Sequence, residues 1–332
     1  MELLVVDGRD PELFERFFQL RDDVRRAEEE FPASLGLEEA RVMFTGTHSD
    51  VRADGLAAVD GDSWLGIAWL DWWLQENTHT VEVEVAVDPA YRRQGVGSFL
   101  LEAVAERARA DGRRLMSGSI LADAATGRSA GTAFAERRGF VRRHVELHQV
   151  IELPLTDERV AELEARIAGQ HEDYRLVQWR EHTPDEWLEQ FADALSVMTE
   201  EVPTGELDLE PTRWTPERIR VVEARRLKQG RFCHTTVAVA TDGRLAAYTQ
   251  MGGAAGTPDR LYQWDTLVRP EHRGRRLGMA VKVPNLRSLQ AELDHPAVLH
   301  TWNAPENAPM IAVNNHLGFR PVDHRGNWQR EL

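Results

Sequence analysis

Two glycine-bearing turns are the part of this chain best suited to chemistry. The stretch Val87-Asp88-Pro89-Ala90-Tyr91-Arg92-Arg93-Gln94-Gly95-Val96-Gly97 returns 181 positions later as Val268-Arg269-Pro270-Glu271-His272-Arg273-Gly274-Arg275-Arg276-Leu277-Gly278. Each copy follows a strand-like run and opens a helix-like one. An Arg-x-x-Gly-x-Gly turn in that setting is suited to hold phosphate, because free backbone N–H groups point outward together and the helix dipole adds partial positive charge. Gly95 and Gly97 let the main chain approach a pyrophosphate with no Cβ in the way. Arg92 and Arg93 can add charge-assisted bonds at its rim. A Walker A loop would need Gly-Lys-Ser/Thr, and a dinucleotide fingerprint would follow the first strand of its domain, whereas this turn follows the fourth. The competing reading of the same residues is a plain tight turn.

The turns need elements to position them, and those elements also repeat. A second signature, Arg138-Gly139-Phe140, recurs as Leu317-Gly318-Phe319, offset by 179. Two ordered signatures at nearly one offset imply a duplicated domain. Each half opens with a short strand, Glu2 to Val6 and Tyr174 to Val177, then a helix capped by Asp10-Pro11 or Thr183-Pro184. A hairpin flanks Asp60-Gly61-Asp62, and another turns at Asp242-Gly243. The strands Val81 to Val87 and Tyr262 to Val268 lead into the turns. Helices with Phe99, Leu100 and Val104, or around Ala280 to Leu293, follow them. Strands Leu115 to Leu121 and Val298 to Trp302 then precede helices at Thr132 to Arg138 and Pro309 to Leu317. This order predicts mixed α/β domains, each a central sheet with helices on both faces. The expected division is residues 1–153, a connecting helix at 154–171, and residues 172–332. Thr199 to Thr215, rich in Pro, Thr and acids, reads as a long loop of the kind often used as a binding lid.

Composition narrows the class. A chain of 332 residues, 42% apolar and 29% charged, is ordinary for a soluble two-domain protein. Its apolar runs fall short of the ~18 residues of a membrane span, and no signal peptide is evident. Membrane partners are therefore not expected, and the expected location is cytoplasmic. The formal charge of −15 disfavours nucleic acid, which needs a basic surface, and suits a cationic partner such as an amine. Cys233 is the only cysteine, so neither an internal disulfide nor a cysteine metal cluster can form. His144 and His148 are four apart on a strand-like run, where that spacing does not imitate a helical zinc pair. No metal is expected.

The full Val-x-Pro-x-Tyr-Arg-Arg-x-Gly-x-Gly, with Gly-Phe downstream, resembles the phosphate turn of GCN5-related N-acetyltransferase (GNAT) domains. The chain as a whole resembles the tandem-GNAT group that includes mycothiol synthase. The resemblance implies acetyl-CoA as cosubstrate, its pantetheine arm wedged between splayed strands, Val85 to Val87 with Ser117 to Ile120, and Thr266 to Val268 with Leu299 to Trp302. By position its holders in the first half are Ala86, Val87, Arg92, Arg93, Gln94, Gly95, Val96, Gly97 and Ser98. In the second they are Leu267, Val268, Arg273, Gly274, Arg275, Arg276, Leu277, Gly278 and Met279, with Asn307 bordering the arm.

The halves depart from the pattern unequally. Arg276 stands where a first glycine is expected, leaving either a degenerate site or an added phosphate ligand. Pro284 falls inside the following helix. Ala135 and Asn314 occupy the position where the family often carries a tyrosine that protonates the departing thiolate. Thiol pKa values near 8.5 let water replace that acid, at a cost of about 10²- to 10⁴-fold. Candidate bases are Glu82 and Glu84 in the first half and Asp265 in the second, although a strand carboxylate is commonly just solvated. Asn303, Asn307 and Asn314 recur at steps of four and seven, which would set their amides along one side, unless they serve as caps and turn residues. On this asparagine set the second half is the expected seat of chemistry. Trp64, Trp69, Trp72 and Trp73 read as core or as an acceptor pocket. The expected activity is acetyl transfer to a small-molecule primary amine by direct attack, in a monomer or homodimer. The rival readings are a non-catalytic acyl-CoA-binding sensor and an acetyltransferase acting on a protein amine.

Overall fold

The computed structural model describes residues 1–123, 126–169 and 171–332. The first stretch of chain forms β1 (Glu2–Val6), α1 (Pro11–Glu28), α2 (Leu37–Thr45), β2 (Val51–Asp60), β3 (Ser63–Trp73) and β4 (Thr80–Val87). It continues with α3 (Val96–Ala110), β5 (Leu115–Ala122), α4 (Ala130–Arg137) and β6 (Val141–Leu153). After α5 (Asp157–Ile167) the order repeats as β7 (Tyr174–Arg180), α6 (Leu188–Glu201), α7 (Pro216–Lys228), β8 (Arg231–Ala240), β9 (Leu245–Ala254) and β10 (Arg260–Val268). It closes with α8 (Leu277–Gln290), β11 (Ala297–Asn303), α9 (Ala308–Leu317) and β12 (Arg320–Glu331). Local chemistry sets the boundaries. The Asp10 carboxylate accepts from the N–H groups of Glu12 and Leu13 to start α1, as an N-cap aspartate should. Gly61, at φ 56°, makes the β2–β3 turn. The connecting helix expected over 154–171 is α5; Gln170 lies outside the described residues.

The chain divides into two compact units. Unit 1 comprises Met1–Glu146, Thr204–Glu210 and Val322–Leu332; unit 2 comprises Leu147–Pro203 and Pro211–Pro321. The unit 1 strands run β1-β2-β3-β4-β5-β12, and those of unit 2 run β6-β11-β10-β9-β8-β7. Within the units the β4–β5 and β10–β11 pairs are parallel. The mixed α/β architecture with helices on both sheet faces is therefore as expected. The units are not contiguous in sequence, because each half gives its last strand to the other. β12 pairs with β5, setting Trp328 opposite Gly118. Leu147–Leu153 of β6 pairs with β11, setting Gln149 opposite Thr301.

Strand alternation explains which side of unit 1 does what. Val81 and Val83 of β4 join Leu100, Leu101 and Val104 of α3 in one apolar cluster. Ala86 joins Phe14 and Phe17 of α1 in the other, and Glu82 and Glu84 share the Ala86 face by period two. Burying each of these large side chains is worth about 1.5–3 kcal/mol. Trp69 and Trp72 are buried core residues, while Trp73 is exposed. Unit 2 is layered in the same way, with Phe191, Ile219 and Tyr248 on one face and Val283, Leu286, Leu299 and Leu317 on the other.

Thr199 to Thr215 is not a free loop. It starts inside α6, and its middle is tied down within unit 1. Arg114 donates to Asp208 at 2.7 Å, and the Asp208 N–H donates to Gln329 at 3.0 Å. Asn77 and Glu210 bond reciprocally, each backbone N–H to the other's side chain, at 2.8 and 2.7 Å.

Candidate active site

The two turns share one backbone. The left-handed positions are Arg93 (φ 63°) and Gly95 (φ 90°) in the first, Gly274 (φ 78°) and Arg276 (φ 55°) in the second. Glycine and arginine have simply exchanged places, each turn carrying one non-glycine residue at a conformation that costs roughly 1–2 kcal/mol. Arg276 therefore preserves the turn that a glycine would have made there. The first helical bond of α3 runs from Phe99 N–H to Gly95 C=O, so the amides of Val96, Gly97 and Ser98 precede the intrahelical ladder. A second shared device holds the turns in place. Arg92 Nε donates to Val87 C=O at 3.1 Å and its Nη2 pairs with Glu28 at 2.6 Å. Arg273 does the same with Val268 at 3.3 Å and Glu201 at 2.7 Å. Both arginines thus clamp the end of the strand to the end of an earlier helix, α1 in the first half and α6 in the second.

Beside the turns the parallel strands part. β4 and β5 pair at Thr80–Leu115, Val81–Met116 and Glu82–Ser117; β10 and β11 pair as far as Tyr262–His300. In unit 1 the gap opens into two adjoining cavities of about 630 and 640 Å³. The first lies against Arg93, Gly95, Gly97 and Ser98; the second runs along Val83 to Ala86 and past Gly118; Val85, Ala86 and Phe134 border both. In unit 2 the corresponding positions carry a hydrogen-bonded chain. Lys282 Nζ donates to Asn314 Oδ1 at 2.6 Å, Asn314 Nδ2 to Gln149 Oε1 at 3.3 Å, and Gln149 Nε2 to Asn315 Oδ1 at 3.0 Å.

Residues 16–140 match the acetyltransferase (GNAT) family. A tandem GNAT protein from the clavulanic acid biosynthesis pathway, solved without AcCoA, superposes with a TM-score of 0.78 at 25% identity, over 99% of this chain and 98% of that one. This is a tandem GNAT fold. A GCN5-related N-acetyltransferase from Sphaerobacter thermophilus is similar at TM-score 0.65 and 14% identity, over 99% of this chain and 95% of the other. The glucosamine N-acetyltransferase region of a fungal multi-domain GH3 β-N-acetylglucosaminidase is similar at 0.63 and 14%, over 98% of this chain and 38% of the other. No curated protein sequence matches. The family match and the tandem neighbour support acyl transfer as the class of chemistry, and the GNAT family uses acetyl-CoA generally. Among the described residues no cluster of His, Cys, Asp or Glu is grouped to hold a metal, and no helix is long and apolar enough to cross a membrane.

In the N-terminal GNAT domain the carboxylates differ sharply. Glu84 accepts from Arg21 at 2.8 and 3.0 Å and from Arg25 at 2.8 and 3.0 Å. Burial pushes its carboxyl upward, but the two guanidiniums outweigh that and hold it well below the usual carboxylate range. Glu82, one step along the same face, has no arginine of its own. Burial raises its carboxyl to about 7, against a hydrogen bond from Ser117, and Asp71 adds repulsion. Asp71 is its partner in register on β3, raised to about 6 by burial while its Oδ1 accepts from Trp69 Nε1 at 3.0 Å. A carboxylate titrating near neutrality suits a general base; one locked by two arginines does not.

The remaining expected residues are distributed as follows. Ala86 and Val87 line the gap, and Val96 is buried under the first turn of α3. Gln94 donates to Ala90 C=O at 3.2 Å, and the Ser98 hydroxyl accepts from Arg138. In the C-terminal domain Leu267 and Leu277 are core, and Met279 packs against the cluster that holds Val283, Leu286 and Leu299. Arg275 turns away to donate to the Tyr174 hydroxyl at 2.8 Å. Asp265 lies in a β-bulge between Gln263 and Thr266, where burial raises its carboxyl above the usual range against the pull of Arg226. The asparagines do not converge on one space: Asn307 caps α9 by accepting from Met310 N–H, Asn314 is fully buried in the Lys282 chain, and Asn303 ends β11 opposite Leu147. Asp71 and Trp328 escaped the sequence reading. A β3 carboxylate signals nothing until its strand register is known, and Trp328 is far along the chain from the strands it borders.

Proposed function

We propose that the N-terminal domain transfers an acyl group from acyl-CoA to the amine of a small molecule, with Glu82 as general base. The observation that carries this reading is the cleft of unit 1, which runs from the phosphate turn to Val83 and Gly118, the residues next after the Glu82–Ser117 pair. The sequence favoured the second half on its asparagines; the cavities beside the first turn, and the polar chain around Lys282 at the matching positions of the second half, favour the first.

The residues present fit the carrier. The amides ahead of the α3 ladder suit a pyrophosphate, and the β4 edge from Val83 to Val87, past the last β5 pair, offers backbone groups to an extended arm. Bound there, acyl-CoA supplies an activated acyl carbon and a thiol leaving group. Glu82 accepts the proton that the incoming amine must lose. A backbone N–H on the open β4 edge stabilises the oxyanion. With Ala135 at the tyrosine position, water protonates the thiolate. Glu30, Asp123 and Asp323 at the second cavity favour a cationic acceptor.

Calorimetric titration with acetyl-CoA tests the site. Binding abolished by Gly97→Trp, with the variant still folded by circular dichroism, supports it. Binding that survives this change moves the chemistry out of unit 1.

A further inference from the structure

The second unit 1 cavity does not stop where the strands pair. It continues to the α3–α4 side of the sheet, where its wall is Val83, Leu101, Ala135, Phe140 and Trp328. All five side chains are apolar or aromatic. An acetyl group needs none of this space.

The C-terminal domain carries polar side chains at the same place, bonded to one another. Lys282 stands at the position of Leu101, 181 residues on, and Asn314 at that of Ala135, 179 residues on. Gln149 faces Thr301, the residue after the last β10–β11 pair, as Trp328 faces Gly118 after the last β4–β5 pair. Three corresponding positions thus form a hydrogen-bonded plug in one domain and an apolar wall in the other. The methyl group of Ala135 leaves open what Asn314 fills.

We infer that this inner end is an acyl chamber for a donor with an aliphatic chain longer than acetyl, its depth set by Ala135. The inference rests on the unit 1 cleft being the acyl-CoA site. A carrier with its pyrophosphate on the turn directs its thioester toward the end of the β4–β5 pairing, and an aliphatic chain beyond the thioester finds its apolar surroundings along this wall, away from the acidic side given above to the acceptor. Each methylene buried there is worth about 0.8 kcal/mol, or roughly fourfold in affinity.

The test is titration of the full chain with acetyl-, butyryl- and hexanoyl-CoA. The expected result is affinity rising roughly fourfold per added methylene up to the chamber's depth, with Ala135→Leu bringing the hexanoyl-to-acetyl ratio down to about one. Equal affinity for all three carriers in the unsubstituted chain overturns the chamber and leaves the cleft standing, and needs no variant to fold. Failure of every carrier to bind, or binding indifferent to Gly97→Trp, overturns the cleft itself and the chamber with it.

Discussion

Asp71 and Glu82 face each other across β3 and β4 as register partners, on the side of the sheet that Glu84 shares with Arg21 and Arg25. Burial raises the pair to about 6 and about 7, while the arginines keep Glu84 ionised. Neighbouring carboxylates on one strand are thereby separated in role by what packs above them.

Activity is expected to rise with pH through about 7, as Glu82 loses its proton. Glu82→Gln should lower turnover by about 10²- to 10⁴-fold and remove that inflection, read from rate profiles between pH 5.5 and 9. A folded variant with the inflection intact would exclude Glu82 as the base.

Stability should move the opposite way. Glu82 and Asp71 have folded values above their unfolded ones, 4.5 and 3.8, so the folded state binds more protons between the two. Their contribution is fully present below the unfolded values and is lost as pH rises through about 7 and about 6. Denaturation of Glu82→Gln across pH 4 to 8 should show a smaller decline than the natural chain.

Glu84→Gln should destabilise the fold by about 1–3 kcal/mol, because Arg21 and Arg25 are left with a neutral partner for two guanidiniums. Chemical denaturation measures this. The pH inflection of the residual activity should stay near 7, which separates a structural Glu84 from a basic one.

Lys282 is buried and donates to the Asn314 amide oxygen, and burial lowers its amine from 10.5 to about 7. The unfolded state binds more protons between those values, so the stability of unit 2 rises with pH across that window. Lys282→Met should flatten the rise, seen as a melting temperature that varies less between pH 7 and 10.

Trp328→Ala should cost about 3–5 kcal/mol, as for other buried tryptophans. The informative readout is where the loss falls: protection against hydrogen exchange should drop in β4 and β5 of unit 1, although the substitution lies four residues from the end of the chain.

Much of this was legible in sequence because it is local. The Asp10 cap, the Asp60-Gly61-Asp62 hairpin and the two Arg-x-x-Gly-x-Gly turns depend on residues within a few positions of each other, so their backbone follows from side-chain chemistry near at hand. The duplication was legible as well, since two signatures at nearly one offset need no coordinates. Arg276 shows the limit of that reasoning: a missing glycine left a degenerate site and an added phosphate ligand both open, and only the backbone shows that Gly274 and Arg276 hold the same left-handed pair as Arg93 and Gly95.

Tertiary structure alone decided which strands complete each sheet and which gap stays open. Pairing of β12 with β5, and of β6 with β11, depends on contacts between residues some two hundred or one hundred and fifty positions apart, which no local preference encodes. The same pairing sets Trp328 beside Ala135 and Leu101, and Gln149 beside Asn314 and Lys282. A gap lined by apolar side chains remains a cavity, whereas one lined by an amine and two amides closes on itself, since buried polar groups must find partners. The sequence contained both sets of residues; only their juxtaposition shows which of them line a cavity and which bond to one another.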